Sequence, residues 1–238
     1  MSKTAHHELT RKEMKGPDKF QVAATEAATW AAQRRRQILL AGVAAFAVLA
    51  AVIAFSAYLE SQRAAAGSLL YRAIEAAGGE VSSIPLPGVD RTYKSNEEKQ
   101  RAVLEAAGKV RESHGASRAA TTAALLEGDA HLALGEWDKA IASYQTFLDK
   151  APAEDSLRFG GLDGLARAQE GKGDLAAAAA TYEKAAQIDF YKDRATLERA
   201  RVLAKAGKKD EAQKALEGLP KDSPLAVEAH ELLARLGK

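Results

Sequence analysis

Cysteine is missing from all 238 residues of this chain. Its absence excludes a disulfide framework, thiol catalysis, a Cys-ligated metal and a lipid-modified cysteine anchor, and it is compatible with an oxidising compartment. Aromatic residues are few, at 6%. Val, Ile and Thr form no convincing alternating runs, so no sheet is expected. A strong charge of either sign is lacking as well, the formal net charge being +2. The basic excess sits at one end: residues 1–37 hold eight Lys/Arg against four Asp/Glu, while residues 60–238 hold 26 against 28. The larger part has no concentrated basic excess, and this argues against nucleic acid as a partner, because phosphate binding needs a basic face.

What is abundant is alanine, together with Leu, Glu, Lys and Arg, in a chain that is 47% hydrophobic. That mixture favours helix, and the length admits one or two domains. One stretch stands apart. Residues 38–59, "ILLAGVAAFAVLAAVIAFSAYL", run for 22 positions without a charge or a proline. As a helix they extend roughly 33 Å, enough to cross a hydrocarbon core of about 30 Å. Arg34, Arg35 and Arg36 abut the start and Glu60 the end. The positive-inside tendency therefore predicts a cytoplasmic N-terminus, with residues 60–238 across the membrane. A cleaved signal peptide competes with this anchor. Its apolar core should be about 7–15 residues long behind a short basic head. Here the apolar run is longer and the leader spans residues 1–37, although alanines near Ser56 and Ala57 imitate a cleavage site. A buried core helix is a third reading, opposed by the arginine triplet. The head is polar up to Phe20 and broken at Gly16-Pro17; from Phe20 an Ala-rich helix is expected to run into the membrane, with Trp30 near the headgroups. Adjacent His6 and His7 have no other ligand at helical spacing and are not read as a metal site.

Beyond the apolar run, residues 60–94 are expected to form a membrane-proximal helix ending at Gly78-Gly79, then a linker held extended by Pro85 and Pro87. Ser95 and Glu98 form a capping box for a helix reaching about Ser113. Three turn-centred units follow within residues 95–238. The first, "TTAALLEGDAHLALGEWDKAIASYQTFLDKAP", has Gly128, Ala140, Tyr144, Phe147 and Pro152 at key positions. The second has Leu165, Gly173, Ala178, Tyr182 and Ala185, and the third Gly207, Ala212, Leu216 and Leu219. The central alanines, Ala140, Ala178 and Ala212, are 38 and 34 residues apart.

This pattern resembles the tetratricopeptide repeat, an antiparallel helix pair recurring every 34 residues. Gly128 and Ala140 sit where that motif needs small residues, Tyr144 and Phe147 where it fills the space between helices, and Pro152 where it ends the pair. The second unit departs from it with Ala166 in place of glycine and Phe190 in place of proline; the third has a short second helix. The resemblance implies repeats at about 121–154, 159–192 and 193–220, with a helix over 223–236, started by Ser223-Pro224, covering the end of the stack. The expected fold class is all-α: an N-terminal transmembrane helix, then an α-solenoid with a C-terminal capping helix.

Gly171-Lys172-Gly173 invites a phosphate-loop reading, but no strand precedes it and no Ser or Thr follows the lysine, so it is read as the repeat turn. His131 is read as a helix-contact residue, His114 as a helix end and His230 as part of the capping helix. No catalytic constellation, metal site or cofactor site is indicated, and neither an enzyme nor a small-molecule substrate is expected. The working surface of such a stack is the face lined by the first helix of each pair. Carrying the motif over places Leu125, Asp129 and Leu132 there from the first repeat, Asp163, Arg167 and Glu170 from the second, and Arg194, Leu197, Arg201 and Lys205 from the third. Their mixed charge suits an extended peptide; each residue alone is equally well a solvated helix face.

A short cytoplasmic head, one anchor and a small extracytoplasmic tetratricopeptide domain resemble, in layout, the YfgM family of the bacterial inner membrane. That resemblance implies an ancillary subunit of the SecYEG translocon, associated with the periplasmic chaperone PpiD and with chains emerging from the channel. The longer basic head and the "SSIPLPGV" linker depart from it. An anchored scaffold for another envelope assembly or secretion complex, and a cleaved soluble periplasmic adaptor, are the alternative expectations.

Overall fold

The computed structural model describes residues 19–84, 88 and 91–237. His6-His7, the Gly16-Pro17 break and the two linker prolines, Pro85 and Pro87, lie outside the described residues. The chain divides into two compact units, residues 1–59 and 60–238.

The first unit contains helix α1 (Lys19–Gln33) and the start of α2 (Arg35–Gly78). The expected run of helix from Phe20 into the apolar segment is interrupted at Arg34, which lies in a turn and places its guanidinium over the Trp30 ring, 5.0 Å from the centroid. α2 is long and apolar enough to cross a membrane: its most apolar 18-residue window has a mean hydropathy of 2.8 and buries none of its residues.

In the second unit α2 continues without a break to Gly78. Its last turns bury Ala66, Ala73 and Ala76. Ala73 clusters with Ala107 and Val110 of α3 (Asn96–His114), and Ala76 with Val103, so the two helices run antiparallel. The compact unit thus takes in residues 60–94 as well as the repeats. Between α2 and α3 the structure corrects the expectation of no sheet. Two short parallel strands, β1 (Glu80–Val81) and β2 (Thr92–Tyr93), pair through Glu80 N–H to Arg91 O at 3.0 Å and Ser82 N–H to Tyr93 O at 2.8 Å. Gly79 admits the Tyr93 ring beside it: a Cβ there would come within 2.5 Å of Tyr93 Cε2. Four residues in two strands are too short for any alternation to show.

The capping box at α3 forms as expected on one side, Ser95 Oγ accepting from Glu98 N–H at 3.1 Å. The Glu98 carboxylate reaches back one residue further, to Lys94 N–H at 2.8 Å. Six helices then stack as three antiparallel pairs: α4 (Arg118–Ala133) with α5 (Trp137–Lys150), α6 (Arg158–Lys172) with α7 (Leu175–Ala185), and α8 (Lys192–Lys205) with α9 (Lys209–Glu217). The tight turns inside the pairs need a left-handed residue, supplied by Gly135, Gly173 and Gly207 with φ of 72°, 92° and 79°. Gly171 and Lys172, read from sequence as part of that turn, are still helical. Helix α10 (Ala226–Leu236) closes the stack on α8 and α9. Ser223 does not cap it. Its Oγ accepts from Leu225 N–H at 3.3 Å within the preceding turn, and the helix begins three residues later.

The seam between α5 and α6 is built from rings against missing side chains. A Cβ on Gly171 would lie 2.8 Å from Trp137, one on Gly164 would lie 2.3 Å from Tyr144, and one on Gly161 would lie 2.6 Å from Phe147. Tyr144 is enclosed from the other side too, since a Cβ on Gly128 of α4 would meet its ring at 2.7 Å. Two glycines therefore define the slot for one fully buried tyrosine. Ala140, Ala178 and Ala212 are each 0% exposed, as close helix contact requires.

Candidate functional site

The inner helices α4, α6 and α8 carry Asp129, Asp163 and Leu197 at a constant 34-residue spacing. On the facing outer helices stand Tyr144, Tyr182 and Leu216, each four residues after a central alanine. The Tyr144 hydroxyl donates to Asp129 Oδ1 at 2.6 Å and the Tyr182 hydroxyl to Asp163 Oδ1 at 3.0 Å. In the third repeat Leu197 and Leu216 join one apolar cluster. The position thus changes as a pair, Tyr with Asp twice and Leu with Leu once. Burial pushes both tyrosine hydroxyls above the ordinary phenol range, and the neighbouring aspartates add to it. Burial also raises the Asp129 carboxyl, against the opposing pull of the Tyr144 hydrogen bond and the Arg167 charge.

An ion-pair lattice joins α6 to α8. Arg201 grips Glu170 with two parallel bonds, Nη1 to Oε1 at 2.8 Å and Nη2 to Oε2 at 2.6 Å. Its Nε donates to Glu198 Oε2 at 2.7 Å, and Lys205 Nζ reaches Glu170 Oε1 at 3.1 Å. Arg194 Nη2 lies 2.8 Å from Glu198 Oε1. The Arg201 hydrogen bonds, with help from Lys205, hold the Glu170 carboxyl at about 2. Planar two-point pairing of this kind fixes geometry as well as charge. Arg201 is therefore committed to holding α6 and α8 in register.

Above this lattice opens a hollow of about 430 Å³. Seven of the residues expected at the working face line it: Leu132, Asp163, Arg167, Glu170, Arg194, Arg201 and Lys205. The other three do not. Leu125 and Leu197 are 8% and 6% exposed and belong to apolar clusters, because an aliphatic side chain at these inner positions turns into the seam rather than out of it. Asp129 leaves part of its surface to solvent, but its carboxylate is held against Tyr144 outside the hollow. Trp137, Tyr182 and Glu198 line it without having been expected. Glu198 was findable, four residues after Arg194 on one helix face; the two aromatics reach it from outer helices, which inner-helix spacing does not reveal. Arg167 is the least engaged cation of the set, its closest carboxylate oxygen being Asp163 Oδ2 at 3.9 Å.

Two of the histidines have structural partners. His131 Nδ1 lies 2.7 Å from Glu136 Oε2, a more polar contact than the helix packing expected of it, and Lys139 and His131 together hold Glu136 at about 2. His230 Nδ1 lies 2.7 Å from Ala226 O. No group of three or more His, Cys, Asp or Glu suited to a metal occurs among the described residues.

Family models of the tetratricopeptide repeat match residues 100–155, 125–191 and 171–236. Together they run from 100 to 236, more than half the chain, beginning inside α3 and taking in the closing helix α10. No curated protein matches the chain in sequence.

Proposed function

From a chain that belongs to the tetratricopeptide repeat family, we propose a membrane-anchored, non-enzymatic adaptor that holds extended peptide in the hollow over α6 and α8. Tetratricopeptide repeats are protein-interaction modules, and the observation that carries the reading is the hollow itself. It draws Leu132 from one repeat, Arg167 from the next and Arg194 from the third onto one surface. An apolar side chain beside guanidinium donors suits a backbone with mixed side chains better than any single small molecule.

In this reading residues 38–59 anchor the protein in a bacterial inner membrane, the head is cytoplasmic and residues 60–238 face the periplasm. The layout supports a place beside the SecYEG translocon, with a PpiD-type chaperone and emerging chains as partners. A tethered domain meets such chains at high effective concentration, so modest contacts suffice. The test is photocrosslinking in living cells from Leu132 and Arg167, with Lys184 on outer helix α7 as control. Capture of translocon, chaperone or nascent chains from the hollow and not from Lys184 supports the adaptor. Capture from Lys184 alone refutes it.

A further inference from the structure

Successive helices of the repeat unit alternate in direction, so the loops leading into α4, α6, α8 and α10 all lie on one edge. Glu60 belongs to that edge as well. Because α2 is antiparallel to α3, the early part of its packed stretch lies beside the α3–α4 loop. Six residues separate buried Ala66 from Glu60, about 9 Å of helix.

Along the same edge stands a row of exposed apolar side chains: Leu157 at 42%, Phe190 at 88% and Val227 at 70% exposure. They are 33 and 37 residues apart, each at the start of an inner or closing helix. Phe190 is braced outward. Tyr191 meets its ring edge-on at 4.9 Å and is itself stacked on Phe159 at 3.9 Å. A lone exposed apolar residue needs no explanation; a row repeating with the helix pairs on one edge does.

We propose that this edge rests on the lipid–water interface, with Phe190 seated among the headgroups and Leu157 and Val227 flanking it. The inference depends on the anchored reading of residues 38–59. Lipid is the occupant because the chain itself delivers the edge there: the 22-residue apolar run ends immediately before Glu60. An exposed Phe flanked by aliphatic side chains is the apolar lining that surface-lying segments bury at the boundary of headgroups and acyl chains. No basic excess flanks the row: within three positions of Leu157, Phe190 and Val227 stand Arg158 and Lys192 against Glu154, Asp155, Asp189, Asp193 and Glu228, so the contact does not draw on anionic lipid. The edge and the hollow are separate surfaces, which leaves the peptide site open while the domain sits on the membrane.

The absence of cysteine makes the test direct. Full-length Val48→Cys, Phe190→Cys and Lys208→Cys chains are spin-labelled and placed one per disc of phosphatidylcholine. Collision with oxygen, which concentrates in lipid, is compared with collision with a water-soluble nickel chelate. The expected result is a lipid signature at positions 48 and 190 and an aqueous one at 208, on the opposite edge. Adding phosphatidylglycerol should leave all three unchanged. An aqueous signature at 190 with lipid at 48 overturns the docking and spares the anchor. An aqueous signature at 48 overturns both. A lipid signature at 208 as well, a signal at 190 that needs phosphatidylglycerol, or shielding of 190 from both reagents each overturns the proposed edge contact.

Discussion

Gly160 and Gly164 share helix α6, yet alanine should have unequal effects at the two positions. A Cβ at Gly160 meets nothing within 4 Å, whereas one at Gly164 would lie 2.3 Å from Tyr144 Cζ and 2.5 Å from Cε1 and Oη. The ring cannot step aside, because Gly128 bounds it at the same close range from α4 and its hydroxyl is held by Asp129. Replacing glycine by alanine in a helix interior stabilises by roughly 0.5–1 kcal/mol through the backbone alone. Overpacking a filled core costs about 1–3 kcal/mol. Gly160 stands in the first turn of α6 and Gly164 in its interior, so the propensity gain at Gly160 is no larger and the difference between the variants is a lower bound on the packing cost of about 1–3 kcal/mol. For a domain of this size each kcal/mol moves the melting midpoint by about 2–4 °C. Thermal melts of the full-length chain in one detergent, followed by helical circular dichroism, should therefore show Gly160→Ala melting above the parent and Gly164→Ala below Gly160→Ala by several degrees. Equal shifts for the two variants would refute the slot.

Three further outcomes are expected. Ala140→Leu, at a position 0% exposed between α4 and α5, should cost about 1–3 kcal/mol of stability, read as a lower denaturant midpoint at unchanged slope. Glu170→Gln should weaken the α6–α8 joint by about 1–3 kcal/mol at neutral pH, since its carboxylate is only 13% exposed and satisfies two cations. The folded carboxyl is held near 2, below its unfolded value of about 4.3. Its contribution is thus complete above that value and lost as pH falls toward 2, so parent and Gln variant should converge on acidification through this window. A reporter fused at the C-terminus should be active only if it works outside the cytoplasm; activity of the cytoplasmic format would overturn the orientation drawn from Arg34–Arg36.

The repeats were readable because the motif is a packing requirement written in residue size: Gly128, Ala140 and Tyr144 each stand where a helix pair needs that volume. The number of helices in the stack was harder to read. α3 and the end of α2 bury mainly alanine and valine, residues too generic to announce a pair. The glycines of α6 lowered its apparent helix content and drew attention to the turn, when three of them are recesses for the rings of α5. Six of the seven charged positions expected on the inner helices line the hollow, Asp129 being the exception, while Leu125 and Leu197 turn inward because burial outweighs periodic position. The commitment of Arg201 to Glu170 was invisible, since it joins residues 31 apart on helices whose mutual register only packing determines.

Trp137, Tyr144 and Phe147 descend α5 with the same intervals at which Gly171, Gly164 and Gly161 ascend α6. A slip of one residue would bring Lys172, Leu165 or Leu162 under the rings, or Glu170, Asp163 and Gly160 in the other sense. Neither shifted arrangement offers three recesses at once. The joint works like the wards of a lock, rejecting a mis-seated neighbour by shape before any attraction can reward it. Because the hollow lies across this joint, the alignment of its opposing walls is written in atoms the chain leaves out.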